Sequence, residues 1–384
     1  MTNQLPDAKD KPLFTPGPLT TSHSVKQAML RDLGSRDTKF IRIVQEIRDE
    51  LLAVAGVTQS EGYECVLLQG SGTFGIEAVM TCAVPRNGKW LIAINGAYGQ
   101  RMKKIAGVNS IDYSTTEFNE DQTVDPDLIE KQLAEDSSIS AVAVVHCETT
   151  TGIINPIQET GAACKRHGKT YFVDSMSAFG AVDFDIRACE IDYLVSSANK
   201  CIEGVPGFSF CIARHAALEE TAGWSRTLSL DLHAQWLGLE NNGQFRFTPP
   251  THTMLAFRQA IEELKIEGGV VGRQRRYQEN YKTLHEGMQR LGFDEYLPRE
   301  KQGHIITSFL YPESTNFDFD TFYNSLNDLG FVIYPGKVSN ADCFRIGNIG
   351  RIFESDVRSL LAAIETVLSE MGVTMAAPVA QTIR

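Results

Sequence analysis

Short, continuous apolar runs that alternate with helix-like stretches constrain this chain more than any other feature. The runs lie at Cys65–Leu68, Trp90–Ile94, Ala141–Val145, Thr170–Val173 and Tyr193–Val195. A strand that is apolar on both faces has to be covered on both faces, as in parallel sheets packed between helices. Between the runs, Asp125-Pro126-Asp127 supplies a cap and a starting proline for one helix, and Pro156 opens another that stops near Gly168. The pattern reads as an α/β fold with a mostly parallel sheet through the first two-thirds of the chain.

After Pro249-Pro250 the pattern changes. Long helical periodicities run from about Thr253 to Glu267 and from Val271 to Leu291, and strand candidates follow at Ile305–Leu310 and Phe331–Tyr334. This predicts a smaller C-terminal α+β domain. The expected division is an N-terminal segment 1–22, a large domain 23–255, a small domain 256–375 and a sparsely patterned tail 376–384.

The formal net charge of -12 disfavours nucleic acid or an anionic membrane as a partner, while leaving room for an anionic substrate that meets local arginine. The eight cysteines are scattered with no CxxC pair, which reads as reduced core thiols and a cytoplasmic setting, and no metal site is expected. The polar stretch Met1–Lys11 lacks a signal-like apolar region, and no apolar run approaches the ~20 residues that a membrane span needs.

The chemistry is read from Asp174, which ends the run Tyr171–Val173, and from Lys200, which follows the run Tyr193–Val195. An acid at one strand end and an amine after the next suit pyridoxal phosphate: the acid keeps the ring nitrogen protonated and the amine binds the aldehyde as a Schiff base. Taken singly, either residue would also serve in a surface salt bridge.

A phosphate needs its own site. In Leu67-Leu68-Gln69-Gly70-Ser71-Gly72-Thr73, a strand runs into small residues and then an apolar helix, so amides at a helix start and the hydroxyls of Ser71 and Thr73 suit a dianion. An ordinary turn with a helix cap reads the same way. Tyr98, just past the Trp90–Ile94 run, suits stacking on a flat ring or plain half-buried packing. Thr149, just past the Ala141–Val145 run, suits a hydrogen bond to a ring oxygen or a simple turn cap, and His146 and Glu148 read as supports for that loop.

Taken in order, these motifs resemble those of class V, fold-type I pyridoxal-phosphate aminotransferases, most closely the 2-aminoethylphosphonate:pyruvate transaminase branch. The resemblance begins at Phe14-Thr15-Pro16-Gly17-Pro18 and Gly34-Ser35-Arg36-Asp37, and passes through Gly70–Thr73, Asn95–Arg101 and Glu148–Gly152. It ends at Asp174-Ser175, Lys200 and Phe344-Arg345-Ile346-Gly347. It implies a mostly parallel seven-stranded sheet between helices, pyridoxal phosphate as cofactor, and a homodimer with shared active sites.

By the resemblance, Lys200 and Asp174 are catalytic, and Ser71, Gly72 and Thr73 take the phosphate with Asn199 nearby. Tyr98 stacks on the ring and Thr149 meets its oxygen. Thr248 reaches the partner subunit's phosphate, although it would equally cap the loop beside Pro249-Pro250. Arg345 forks onto a carboxylate or phosphonate, and Arg36 is a second anion contact or a solvated loop charge. The implied reaction transfers the amino group of 2-aminoethylphosphonate to pyruvate, giving phosphonoacetaldehyde and L-alanine. The alternative is an alanine- or serine-glyoxylate type transaminase. Cysteine desulfuration needs a mobile cysteine well before the arginine strand, whereas Cys343 is two residues from Arg345.

Overall fold

A computed structural model of the chain describes residues 10–373, so the expected tail 376–384 lies outside the described residues. Seven strands form the main sheet: β1 Tyr63–Gln69, β2 Lys89–Ile94, β3 Asp112–Glu117, β4 Ile139–Val145, β5 Thr170–Asp174, β6 Tyr193–Ser197 and β7 Phe208–Arg214. Their order across the sheet is β1-β7-β6-β5-β4-β2-β3, with β7 antiparallel to both neighbours and the remaining pairs parallel. All five apolar runs are strands of this sheet. Their side chains are buried throughout, as Ala141–Val145 shows, because helices cover both faces.

β3 carries the polar sequence Asp-Tyr-Ser-Thr-Thr-Glu and was missed as a strand. It is the sheet's edge, where only one neighbour pairs and little apolar surface is needed. The helices predicted after Asp125 and Pro156 span Pro126–Glu135 and Ile157–Arg166, the first with the Asp125 side chain accepting from the Asp127 amide.

The C-terminal part has a three-stranded antiparallel sheet, β8 Ile306–Leu310, β9 Tyr334–Pro335 and β10 Cys343–Gly347, with β10 in the middle. The run Phe331–Tyr334 is not the strand expected of it. Val332 instead forms an isolated parallel bridge to Leu13, and only Tyr334 pairs with β10, opposite Arg345. The N-terminal segment therefore crosses to the small sheet, and Phe14 is buried in the second core with Phe309, Phe344 and Ile346. The expected boundary at 255 lies within the helix Thr251–Ile266, whose buried residues from Met254 to Leu264 belong to the first core.

Four parallel neighbours, β2, β4, β5 and β6, end on the same side of the sheet, so the loops after them share one edge. The carboxyl edge of such a sheet is where ligands bind, since helix starts and loop side chains converge there.

Candidate functional site

Asp174 ends β5, and its residue is 4% exposed. One carboxylate oxygen accepts from the Met176 amide at 2.9 Å, and no ion pair holds it among the described residues. Burial pushes the acid up to about 7, a value that fits a carboxyl built to face a cation supplied from outside the chain. Beside it, His146 is buried, its ring nitrogen 3.1 Å from the Ser175 hydroxyl, and burial pushes it down to about 3, so it is neutral and structural.

Lys200 lies in the turn between β6 and β7. Its amine donates to the Pro16 carbonyl at 2.5 Å, which places the N-terminal Thr-Pro-Gly-Pro loop directly over it. Gly17 makes that approach possible: its φ is +114°, and a Cβ there would lie 2.9 Å from the Asn199 carbonyl and 3.0 Å from the Lys200 amine. Burial lowers the amine to about 8, so an appreciable fraction is neutral near physiological pH. A lysine that acts as nucleophile or base needs this.

The strand-to-helix junction at the phosphate candidate forms as expected. The helix Gly72–Cys82 starts at the extended N-cap Ser71, whose side chain makes no capping bond, so the first amides are open to an anion. At Gly72 a Cβ would come within 2.3 Å of the end of the Met176 side chain, so the helix start packs closely against that methionine. That contact brings the helix start against the residue two beyond Asp174. Asn199 accepts from the Ser197 hydroxyl at 3.1 Å, one residue from Lys200.

Tyr98 stands in the first turn of the helix Ala97–Val108. Its amide donates to Glu148 at 3.2 Å, the Ala97 amide donates to the Thr150 hydroxyl at 2.9 Å, and that hydroxyl donates to Glu148 at 2.6 Å. Glu148 is fully buried, and burial raises its pKa. Its role is the support expected of it. Thr149 is buried, and its carbonyl accepts from Arg345 Nη1 at 2.7 Å.

Arg345 is 2% exposed and donates otherwise only to the Pro335 carbonyl, at 3.0 Å. It takes part in no ion pair among the described residues, although a buried guanidinium normally demands an anion. Two cations missed by the sequence reading stand with it. Arg101 donates to the Thr73 hydroxyl at 3.2 Å and lies 4.8 Å from the Tyr98 ring centre, and the Lys337 amine lies 4.7 Å from the same centre. Arg101 was within a quoted motif, but nothing in sequence marks its side chain as turning back to Thr73.

Two expected residues stand apart. Arg36 is exposed in the turn before the helix Thr38–Val54 and makes no ion pair among the described residues. Thr248 is exposed, although its carbonyl accepts from Gln69 at the end of β1, at 3.2 Å, which tethers it beside Ser71. Within one chain, Asp174, Lys200, Ser71–Thr73, Tyr98, Thr149 and Arg345 are drawn to one sheet edge. The cradle, the buried acid Asp174 that no ion pair holds among the described residues and the low-pKa amine together fit a group with a phosphate, a cationic ring nitrogen and an aldehyde.

The chain is similar to known proteins in sequence and in fold. The model of the family "Aminotransferase class-V" matches residues 20–329. The 2-aminoethylphosphonate–pyruvate transaminase of Salmonella typhimurium is 52% identical over 358 residues, covering 93% of this chain and 97% of that protein. The protein of the same name from Salmonella schwarzengrund is equally similar. Among solved structures, ureidoglycine-glyoxylate aminotransferase from Bacillus subtilis superposes with a TM-score of 0.88 at 21% identity, over 97% of both chains. Alanine–glyoxylate aminotransferase from Nostoc sp. gives 0.85 at 24% identity, over 96% of this chain and 98% of that one. With the fold, the motif order and this extent of identity in agreement, the chain belongs to the class-V aminotransferase family.

Proposed function

We propose that the chain is a pyridoxal-phosphate-dependent transaminase that moves the amino group of 2-aminoethylphosphonate to pyruvate, releasing phosphonoacetaldehyde and L-alanine. The observation that carries this reading is the 52% identity, across 93% of the chain, to proteins named for that reaction. A pocket in which Arg345 and Lys337 stand without acidic partners among the described residues supports it, because both substrates are anions.

When bound, pyridoxal phosphate supplies the conjugated ring that withdraws electrons from the substrate's C–H bond. The Ser71–Thr73 amides and hydroxyls, with Asn199 nearby, receive the phosphate, and Arg101 adds positive charge at Thr73. Asp174 would keep the ring nitrogen protonated, Tyr98 would cover a ring face and the Thr149 hydroxyl would meet the ring oxygen. Lys200, neutral in part because of its burial, would take the proton from the substrate carbon. Arg345 would anchor the phosphonate in one half-reaction and the pyruvate carboxylate in the other. The phosphonate end fixes which hydrogen faces Lys200, since the reacting carbon of 2-aminoethylphosphonate bears two hydrogens and no carboxylate.

A second copy completes the site in this reading. Phe74 and Phe247, 51% and 44% exposed, flank the phosphate cradle, and the exposed Thr248 beside them would reach the partner's phosphate. The expected result is a dimer in solution whose dilution to monomer releases cofactor, read by sedimentation together with the yellow absorbance.

The deciding assay incubates the cofactor-loaded protein with pyruvate or glyoxylate and a panel of 2-aminoethylphosphonate, β-alanine, serine and alanine. Alanine formed from 2-aminoethylphosphonate and pyruvate is the expected product. Turnover confined to alanine or serine with glyoxylate would replace this reading by the glyoxylate type. Arg345→Ala should lower kcat/KM for both substrates by about 100-fold or more, because it strips an anchor that is already desolvated. A change in only one half-reaction would remove Arg345 from the shared role.

A further inference from the structure

The turn that carries Lys200 is joined to the end of the Arg345 strand by a buried charged network that no step above uses. Its centre is Glu203, a non-glycine residue at φ +64° and 3% exposed, whose amide donates to the Lys200 carbonyl at 2.7 Å. A side-chain-bearing residue persists in that left-handed conformation only where its surroundings hold it there. They do so through its carboxylate, which accepts from Arg276 Nη2 and from the Tyr277 hydroxyl, both at 2.6 Å. Arg273 lies 3.4 Å from the same oxygen and donates to the Cys201 carbonyl at 2.5 Å, so a second point of the lysine turn is held.

The other side of the network grips the small sheet. Arg276 Nη1 donates to the carbonyls of Gly350 at 2.5 Å and Ile352 at 3.0 Å, and the Gly350 amide donates to the Tyr277 hydroxyl at 3.0 Å. Gly350 follows β10, which holds Arg345, by three residues. Glu267 balances the charge by pairing with Arg273 at 2.8 Å and Arg276 at 2.6 Å. Two carboxylates against two guanidinia, nearly dry, form a unit whose members depend on one another, because removing one leaves the others buried without partners.

We propose that Glu203 is a positioning residue that keeps the Lys200 turn in register with the end of the Arg345 strand, so that the amine and an anchored substrate meet at a set separation. This rests on the roles given above to Lys200 and Arg345. Anchoring the substrate at one element and the reactive amine on another demands such a link, since a shift of the amine by a fraction of a bond length separates it from the proton it must take.

The test uses the full-length, cofactor-loaded protein with Glu203→Gln, which keeps shape and removes charge, and Tyr277→Phe, which leaves the Glu203 charge in place and removes the hydroxyl that links it to the Gly350 amide. Amide hydrogen exchange is expected to speed up together in peptides covering 198–207 and 347–353 in both variants. The pH midpoint of the cofactor's yellow absorbance is expected to move. In steady state kcat should fall about 10- to 100-fold with KM for the two substrates changed by less than about threefold.

A lower melting temperature with unchanged exchange coupling, unchanged midpoint and unchanged kcat would make the network merely structural and overturn the proposal. Faster exchange in only one of the two segments would overturn it as well. Should Glu203→Gln fail to fold, Tyr277→Phe decides by the same readouts. Neither exchange nor the absorbance midpoint needs turnover, so a failure of 2-aminoethylphosphonate as substrate would sink the functional reading and leave this one to be judged by itself.

Discussion

Lys200→Ala is expected to bring transamination to the level of cofactor alone, a loss of roughly 10⁴-fold or more, because in the proposed reaction the residue serves both as the covalent attachment point and as the base. No neighbour can stand in. His146 is held neutral and sealed by burial, and Lys337 stands over the Tyr98 ring in the anion pocket. The protein should still fold, since the amine donates only to the Pro16 carbonyl among the described residues and the buried Asp174, whose pKa its charge lowers, can stay protonated without it. Alanine production from 2-aminoethylphosphonate and pyruvate measures this directly, and near-normal turnover in the variant would sink the mechanism. In the unsubstituted protein before cofactor attachment, the fraction of reactive amine should rise as pH passes through about 8, because burial favours the uncharged form. Cofactor uptake rates across pH 6 to about 10 read this out.

Asp174→Asn is expected to separate stability from function. Without cofactor, the folded chain holds a buried acid pushed up to about 7, so between the ordinary aspartate range near about 4 and that value it binds more protons than the unfolded chain. Stability therefore falls as pH rises across this window, and the penalty is fully present above it. Asparagine keeps the acceptor for the Met176 amide at 2.9 Å and carries no charge to desolvate. The cofactor-free variant should gain roughly 2–4 kcal/mol above pH 7 and nothing below about pH 4, measured by denaturant melts at several pH values.

The same substitution should cripple the enzyme. A bound ring nitrogen provides the cation that Asp174 lacks, so losing the carboxylate removes the charge that keeps the ring protonated. Turnover is expected to fall by roughly 10³-fold, and the cofactor to bind more weakly. An apo protein no more stable at pH 8, or a holo protein of ordinary activity, would each contradict the reading of Asp174 as a site held at a cost to stability.

Much of the fold was legible in the chain. Buried parallel strands leave unbroken apolar runs, and Ala141–Val145 could hardly be anything else. Asp112–Glu117 was not legible because an edge strand with one paired side needs no apolar signature. Phe331–Tyr334 misled for the opposite reason, since Phe331 and Ile333 pack in the core that holds Phe14 and only Tyr334 joins the sheet.

The site divides in the same way. Lys200, Asp174, Ser71–Thr73, Tyr98 and Thr149 follow strands or open helices, and the shared carboxyl edge of β2, β4, β5 and β6 lies behind their convergence. The linear pattern of apolar runs and their flanking polar residues therefore settles which side chains reach one edge, because strand direction is set by the alternation of strands and helices. It does not settle the company they keep. That Arg345 is buried without an acid, that Lys337 and Arg101 lie over one ring, and that Glu203 joins two arginines 70 and 73 residues away all follow from packing between distant segments. Charge becomes chemistry only when its neighbours and its distance from water are set, and those are properties of the assembled fold.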